Sequence, residues 1–270
     1  MKKIIALMTA LLMLFAFAGC GAENTSSGAS DKTDSEYVKE KGKLVIGITE
    51  YAPMDYKEEG SDEWIGFDAD LAKAFAESLG VEAEFVVLAD WGGKIMELDS
   101  KSIDVVWNGM TLTDEVKNGM EVSNPYCTNT QVVVVPKDQA EQYSTVESVK
   151  DLSFAAESGS AGEDALQELG YSYTAVKAQS DALMEVKAGT SQAAVIDRIM
   201  AGSMIGEGTN YSDLAYTATL GGEENYVVGF RKGSDLAGQL NQFFKDSYAD
   251  GSMMQIAEKY GIQDSIIEQK

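Results

Sequence analysis

The sequence predicts an α/β protein of two lobes with a ligand cleft between them. From Lys43 onward, short apolar runs of strand character alternate with runs in which apolar residues share one helical face. The first block reads β-α-β-α-β, an order that argues for a parallel sheet flanked by helices. A second α/β block follows a run of four valines, and ligands of such sheets sit beyond the carboxyl ends of the strands.

The elements follow in order. LVIGI, Leu44 to Ile48, is a strand that ends near a turn signal at Ala52-Pro53. From Asp68 to Leu79, Leu71, Phe75 and Leu79 share one helical face, with Asp68 placed to cap the start and Gly80 the end. EFVVL is the next strand, followed by a short helix containing Ile95 and Leu98, then the strand IDVVW. Thr113 can cap the helix after it. QVVVV, Gln131 to Val135, reads as a strand buried on both faces. The second block runs through a strand at SFAA, a helix around Leu166 and Leu169, a helix from Ala182 to Ala188 and the strand AAVI. YVVGF, Tyr226 to Phe230, is a further strand, and Leu236, Leu240, Phe243 and Phe244 mark a closing helix. No internal repeat is evident.

Composition removes several functions. The chain has 270 residues, 44% of them apolar, enough for a core of two ordinary lobes. Its formal charge of −23 repels phosphate backbones, so no nucleic acid is expected as a partner. It contains no histidine, which removes Ser-His-Asp and Cys-His catalysis and every histidine-ligated metal. Two cysteines, Cys20 and Cys127, are too few for a thiolate zinc site, so neither metal nor cofactor is expected. Without histidine, no side chain has an ordinary pKa near neutrality, and no strong pH switch is expected between about pH 6 and 8 unless a carboxylate is shifted.

Residues 1–19 read as an export signal: Lys2 and Lys3 precede an apolar run from Ile4 to Ala18. That run is shorter than the roughly 20 residues a spanning helix needs. It ends in FAGC, which resembles the bacterial lipobox, with Phe17 where an aliphatic residue is usual. Cys20 would then be the lipidated first residue of the mature chain, held at the outer face of the cell membrane by its acyl chains alone. Cys127 is left unpaired. Residues 20–36 comprise this cysteine and a polar, small-residue segment that reads as a flexible tether.

Residues 43–261 resemble the family 3 extracellular solute-binding proteins of polar amino-acid ABC transporters. The resemblance rests on KLVIGITEYAPM, GFDADLAKAFAESLG, WNGMTLTDE, SNPY, SGSAG, VKAG with AAVID, and the closing DGSMMQIAEKYGI, in the family's order. It implies a type II periplasmic-binding-protein-like fold that captures a small polar ligand, an amino acid or related ammonium compound, by lobe closure. The implied partners are ABC permease subunits with an ATPase, and the protein itself is expected to be a monomer. Lobe 1 would comprise residues 37–130 and 226–270 and lobe 2 residues 131–225, with crossings near Thr128 to Val133 and Glu224 to Val228.

The resemblance also implies site roles. Tyr51 and Trp91 would face each other across the ligand side chain, supplying apolar and π surface. Backbone groups at Gly109 and the Thr111 hydroxyl would bond the ligand's ammonium and carboxylate, with Asn108 a further ligand contact. Ser160 and Ala161 open a helix whose free N–H groups favour a carboxylate. Glu157 would touch the ligand side chain, and Asp197 would pair with the α-ammonium. The chain departs from the family at Val116, where relatives carry an arginine that forks onto the α-carboxylate, a task valine cannot perform. Either Lys117 or Arg198 substitutes, or the ligand's acidic end is absent, masked or differently placed. Two other functions are carried forward: a dehydratase-like enzyme of the same fold, using Glu157, Asp197 or Glu50, and a ligand-sensing module.

Overall fold

The computed structural model describes residues 32–270. The helices are α1 (Asp34–Lys41), α2 (Phe67–Leu79), α3 (Lys94–Asp99), α4 (Asp114–Gly119), α5 (Val146–Val149), α6 (Ala161–Leu169), α7 (Gln179–Ala188), α8 (Arg198–Met204), α9 (Leu236–Ala249) and α10 (Ser252–Lys259). The strands are β1 (Lys43–Ile48), β2 (Glu82–Val87), β3 (Val105–Thr111), β4 (Glu121–Val122), β5 (Cys127–Pro136), β6 (Phe154–Glu157), β7 (Tyr173–Val176), β8 (Ala193–Asp197) and β9 (Leu214–Phe230). No helix among the described residues is long and apolar enough to cross a membrane. The export signal and Cys20 lie outside the described residues. Asp34 to Glu36, read as tether, belong instead to α1, whose start is fixed by a capping box between Thr33 and Glu36.

The strand order is β2-β1-β3-β9-β5-β8-β6-β7, with β4 pairing β9. In the first lobe β1 pairs β2 and β3 in parallel. In the second, β6 pairs β7 and β8 in parallel. Two long antiparallel strands join them. The C-terminal end of β9 pairs β3, with Thr111 opposite Tyr226, while its N-terminal end pairs the far end of β5, with Ala215 opposite Val135. β9 is therefore a 17-residue strand serving both lobes, of which YVVGF is only the last part.

The valines of β5 are buried on both faces, as their continuous run predicts. Val132 and Val134 join the largest apolar cluster, and Val133 and Val135 join the second-lobe cluster with Phe154 and Leu166, the alternation a strand imposes. Asp68 does not cap α2, because the helix begins one residue earlier, after Gly66. Its carboxylate is instead fully buried and accepts the Gly109 N–H at 2.6 Å and the Tyr126 hydroxyl at 2.8 Å, tying α2 to the cleft end of β3. Cys127 is free and buried, and burial pushes its thiol pKa up, so it is chemically quiet.

Candidate functional site

The carboxyl ends of β1, β3, β6 and β8 converge on one cleft between the lobes. It is lined by Tyr51, Trp91, Asn108, Gly109 and Thr111 from the first lobe and by Glu157, Ser160, Ala161 and Asp197 from the second. All nine residues singled out in the sequence thus lie around a single space. Lys94, Val116 and Gln179 line it too. The lobes meet closely over a cavity of about 20 Å³. Gly159 packs against the Gly92 backbone, and the Lys94 ammonium donates to the Gly159 carbonyl at 3.1 Å.

Asp197 ends β8, opposite Gln131 of β5, and is 4% exposed. Its carboxylate accepts from the amides of Asn129, Gln131 (at 2.8 Å) and Gln179, and its own N–H donates to the Gln179 Oε1 at 2.8 Å. Neutral amide donors orient a carboxylate without cancelling its charge. Burial and the nearby Glu224 carboxylate raise its pKa to about 6, so it is ionised at neutral pH. Glu224 shares the Gln131 amide at 2.9 Å and accepts the Thr111 hydroxyl at 3.1 Å.

Glu157 is 3% exposed and its Oε1 has no partner. Burial, reinforced by the Asp197 charge and opposed by Lys94, lifts its pKa to about 8. It is therefore protonated at neutral pH and can donate a hydrogen bond. Glu50 is exposed and does not line the cleft.

Some expected roles change in detail. The Asn108 side chain is spent on its own lobe: its Oδ1 accepts from the Thr49 N–H and hydroxyl, and its Nδ2 donates to the Thr49 carbonyl and to Asp55. It shapes the cleft floor by fixing the loop after β1. The Gly109 N–H is likewise committed to Asp68. This glycine has φ of 53°, and a Cβ there would lie 2.6 Å from the Tyr51 ring and 3.1 Å from the Tyr226 ring. Its smallness admits the two tyrosines, whose hydroxyls bond each other at 2.6 Å. Thr113 caps α4 through the Val116 N–H.

Neither cation expected to replace the missing arginine reaches the cleft. Lys117 is exposed on α4, since neighbouring helix positions point about 100° apart. Arg198 is exposed too, its guanidinium 5.3 Å above the Tyr216 ring. It lines a different groove of about 530 Å³, together with Thr128, Glu223 and Tyr260.

The raised carboxyls are the exception the sequence reading allowed for, and they make stability depend on pH. A carboxyl whose folded pKa exceeds its unfolded value holds its proton more tightly when folded, so stability is greatest at low pH and falls as pH rises towards the folded value. Glu157 at about 8, Asp68 at about 7 and Asp197 at about 6 all act in this direction. The melting temperature is expected to fall as pH rises from about 4, the ordinary carboxyl value, to about 8. Glu157→Gln should flatten the upper part of that fall and leave the Asp68 part. A melting temperature constant over this range would contradict these pKa directions.

Residues 44–263 match the family described as bacterial extracellular solute-binding proteins, family 3. The arginine-binding extracellular protein ArtP of Bacillus subtilis is 31% identical over 269 residues, which cover 96% of this chain and 98% of that protein. The L-cystine-binding protein TcyJ of Escherichia coli K12 is 29% identical over 83% of this chain and 84% of its own length. The crystal structure of the substrate-binding protein AbpA of Streptococcus pneumoniae bound to L-arginine superposes with a TM-score of 0.76 at 25% identity, covering 83% of this chain and 97% of that one.

Proposed function

We propose that this chain, which belongs to the bacterial extracellular solute-binding proteins of family 3, captures an amino acid between its lobes and delivers it to an ABC importer. The reading rests above all on Asp197: an ionised carboxylate, clamped by three amides, at the end of a strand facing a cleft between two lobes. It complements an α-ammonium, and a charge-assisted bond in a closed cleft favours that group strongly. Tyr51 and Trp91 supply the walls for the ligand's carbon chain. The relatives' named ligands, arginine and cystine, make polar amino acids the first candidates. The partners are permease subunits with an ATPase, which the released ligand enters. Cys20, as a lipidated N-terminus, anchors the protein, a monomer, at the outer face of the cell membrane.

The test is a thermal-shift screen against the L-amino acids and cystine. A ligand that binds only the folded state at a hundred times its Kd stabilises it by about 2.7 kcal/mol, several degrees in melting temperature. A few polar amino acids should produce that shift and be recovered unchanged. A second reading, a dehydratase-like enzyme, draws support from Glu157, a protonated acid beside the ionised Asp197. Turnover of the stabilising compound would favour it over capture.

A further inference from the structure

Lys94 is the one cation lining the cleft among the described residues. It starts α3 and is 2% exposed, with its aliphatic stem and ammonium beside Trp91, Nζ 5.1 Å from the ring centroid. Nζ reaches only backbone carbonyls, Gly159 at 3.1 Å and Trp91 at 3.4 Å. Among the described residues no carboxylate pairs with it within 4 Å. A buried ammonium without a counter-ion is costly, and proteins seldom keep one unless something pairs with it.

Its position indicates the partner. Gly159 lies two residues before α6, so Nζ sits beside the N-terminus of that nine-residue helix. Ser160 caps the Glu163 N–H at 3.1 Å, leaving the Ala161 and Gly162 N–H groups outside the cap. An ammonium and a helix N-terminus directed at one place form an anion site. Val116 cannot contribute: it is 1% exposed and packed in the apolar cluster of Trp91, Leu98 and Met110. The two ionic poles of the cleft are then Asp197 and Lys94, the complement of a zwitterion.

We propose that Lys94, with the first N–H groups of α6, takes the carboxylate of the bound amino acid, the task that arginine at position 116 would otherwise perform. This rests on the amino-acid reading above. Because Lys94 comes from one lobe and α6 from the other, the carboxylate would also bridge the closed lobes.

The experiment titrates L-arginine, L-glutamine and L-histidine, each beside its α-amide, into the wild-type protein, Lys94→Met and Lys94→Arg by calorimetry. The wild type should bind the acid at least tenfold tighter than the amide. Lys94→Met should lose at least tenfold for the acid while its affinity for the amide changes less than threefold, so that the preference collapses. Lys94→Arg should recover most of it. A melting temperature for Lys94→Met at or near the wild-type value would exclude misfolding as the cause. A wild type indifferent to amidation, or a Lys94→Met variant that keeps the preference, overturns the assignment of Lys94 and leaves the amino-acid reading standing. A wild type that binds none of these and none of the L-amino acids or cystine in the thermal-shift screen overturns both.

Discussion

Asp197→Ala is expected to weaken amino-acid binding by roughly 2–5 kcal/mol, the cost of removing one partner of a desolvated charge pair. Its charge is present at neutral pH and held in place by the Asn129, Gln131 and Gln179 amides. Alanine removes the only ionised acceptor we assign to the ligand's ammonium and leaves those donors facing the cleft. Stability should change far less than binding. The lost carboxylate hydrogen bonds are offset by relief of a desolvated charge whose pKa lies above the ordinary carboxylate range. Asp197→Asn keeps the shape and loses the charge, so it should fall between the two proteins. Calorimetry on a variant with a wild-type circular dichroism spectrum decides this, and unaltered affinity would remove the ammonium-anchor role.

Gly159→Ala should impair closure without touching a ligand contact. Gly159 has φ of 70°, a region that costs a residue with a Cβ roughly 1–2 kcal/mol. A Cβ there would lie 2.5 Å from the Gly92 Cα and 2.9 Å from the Gly92 nitrogen. Both obstacles are backbone on the opposite lobe, so no side chain can swing aside, and the lobes must stay apart. A ligand bound across both lobes then loses the closed population it requires. Affinity should drop at least tenfold, about 1.4 kcal/mol. Small-angle scattering should find the variant as extended with saturating ligand as without it. Wild-type affinity in Gly159→Ala would show that Gly92 and Gly159 need not meet for binding.

The elements were legible because their periodicities are strong. The alternating fates of the β5 valines, the Gly80 end of α2 and the Ser160 start of α6 depend on residues close in sequence. The nine cleft residues were legible through the family's motifs, which place strand ends. What each side chain does was less so. Asn108 is spent on Thr49 and Asp55, and Asp68 on Gly109 and Tyr126, at least 41 residues away in each case. Lys94 is not singled out by the sequence, because nothing next to it marks it as buried. Its burial arises from Gly159, 65 residues later on the other lobe. One signal was available: Asn129 and Gln131 are buried in the strand that runs on into four buried valines, and buried amides need partners. They mark the strand that orients Asp197.

The most direct test is a crystal structure of the protein grown with the amino acid that raises its melting temperature most. The account predicts the ligand between Tyr51 and Trp91, inside the closed lobes, with its α-ammonium about 3 Å from the Asp197 carboxylate. A ligand seated instead in the groove of Arg198 and Tyr216, or bound in the cleft with its ammonium turned away from Asp197, would contradict it.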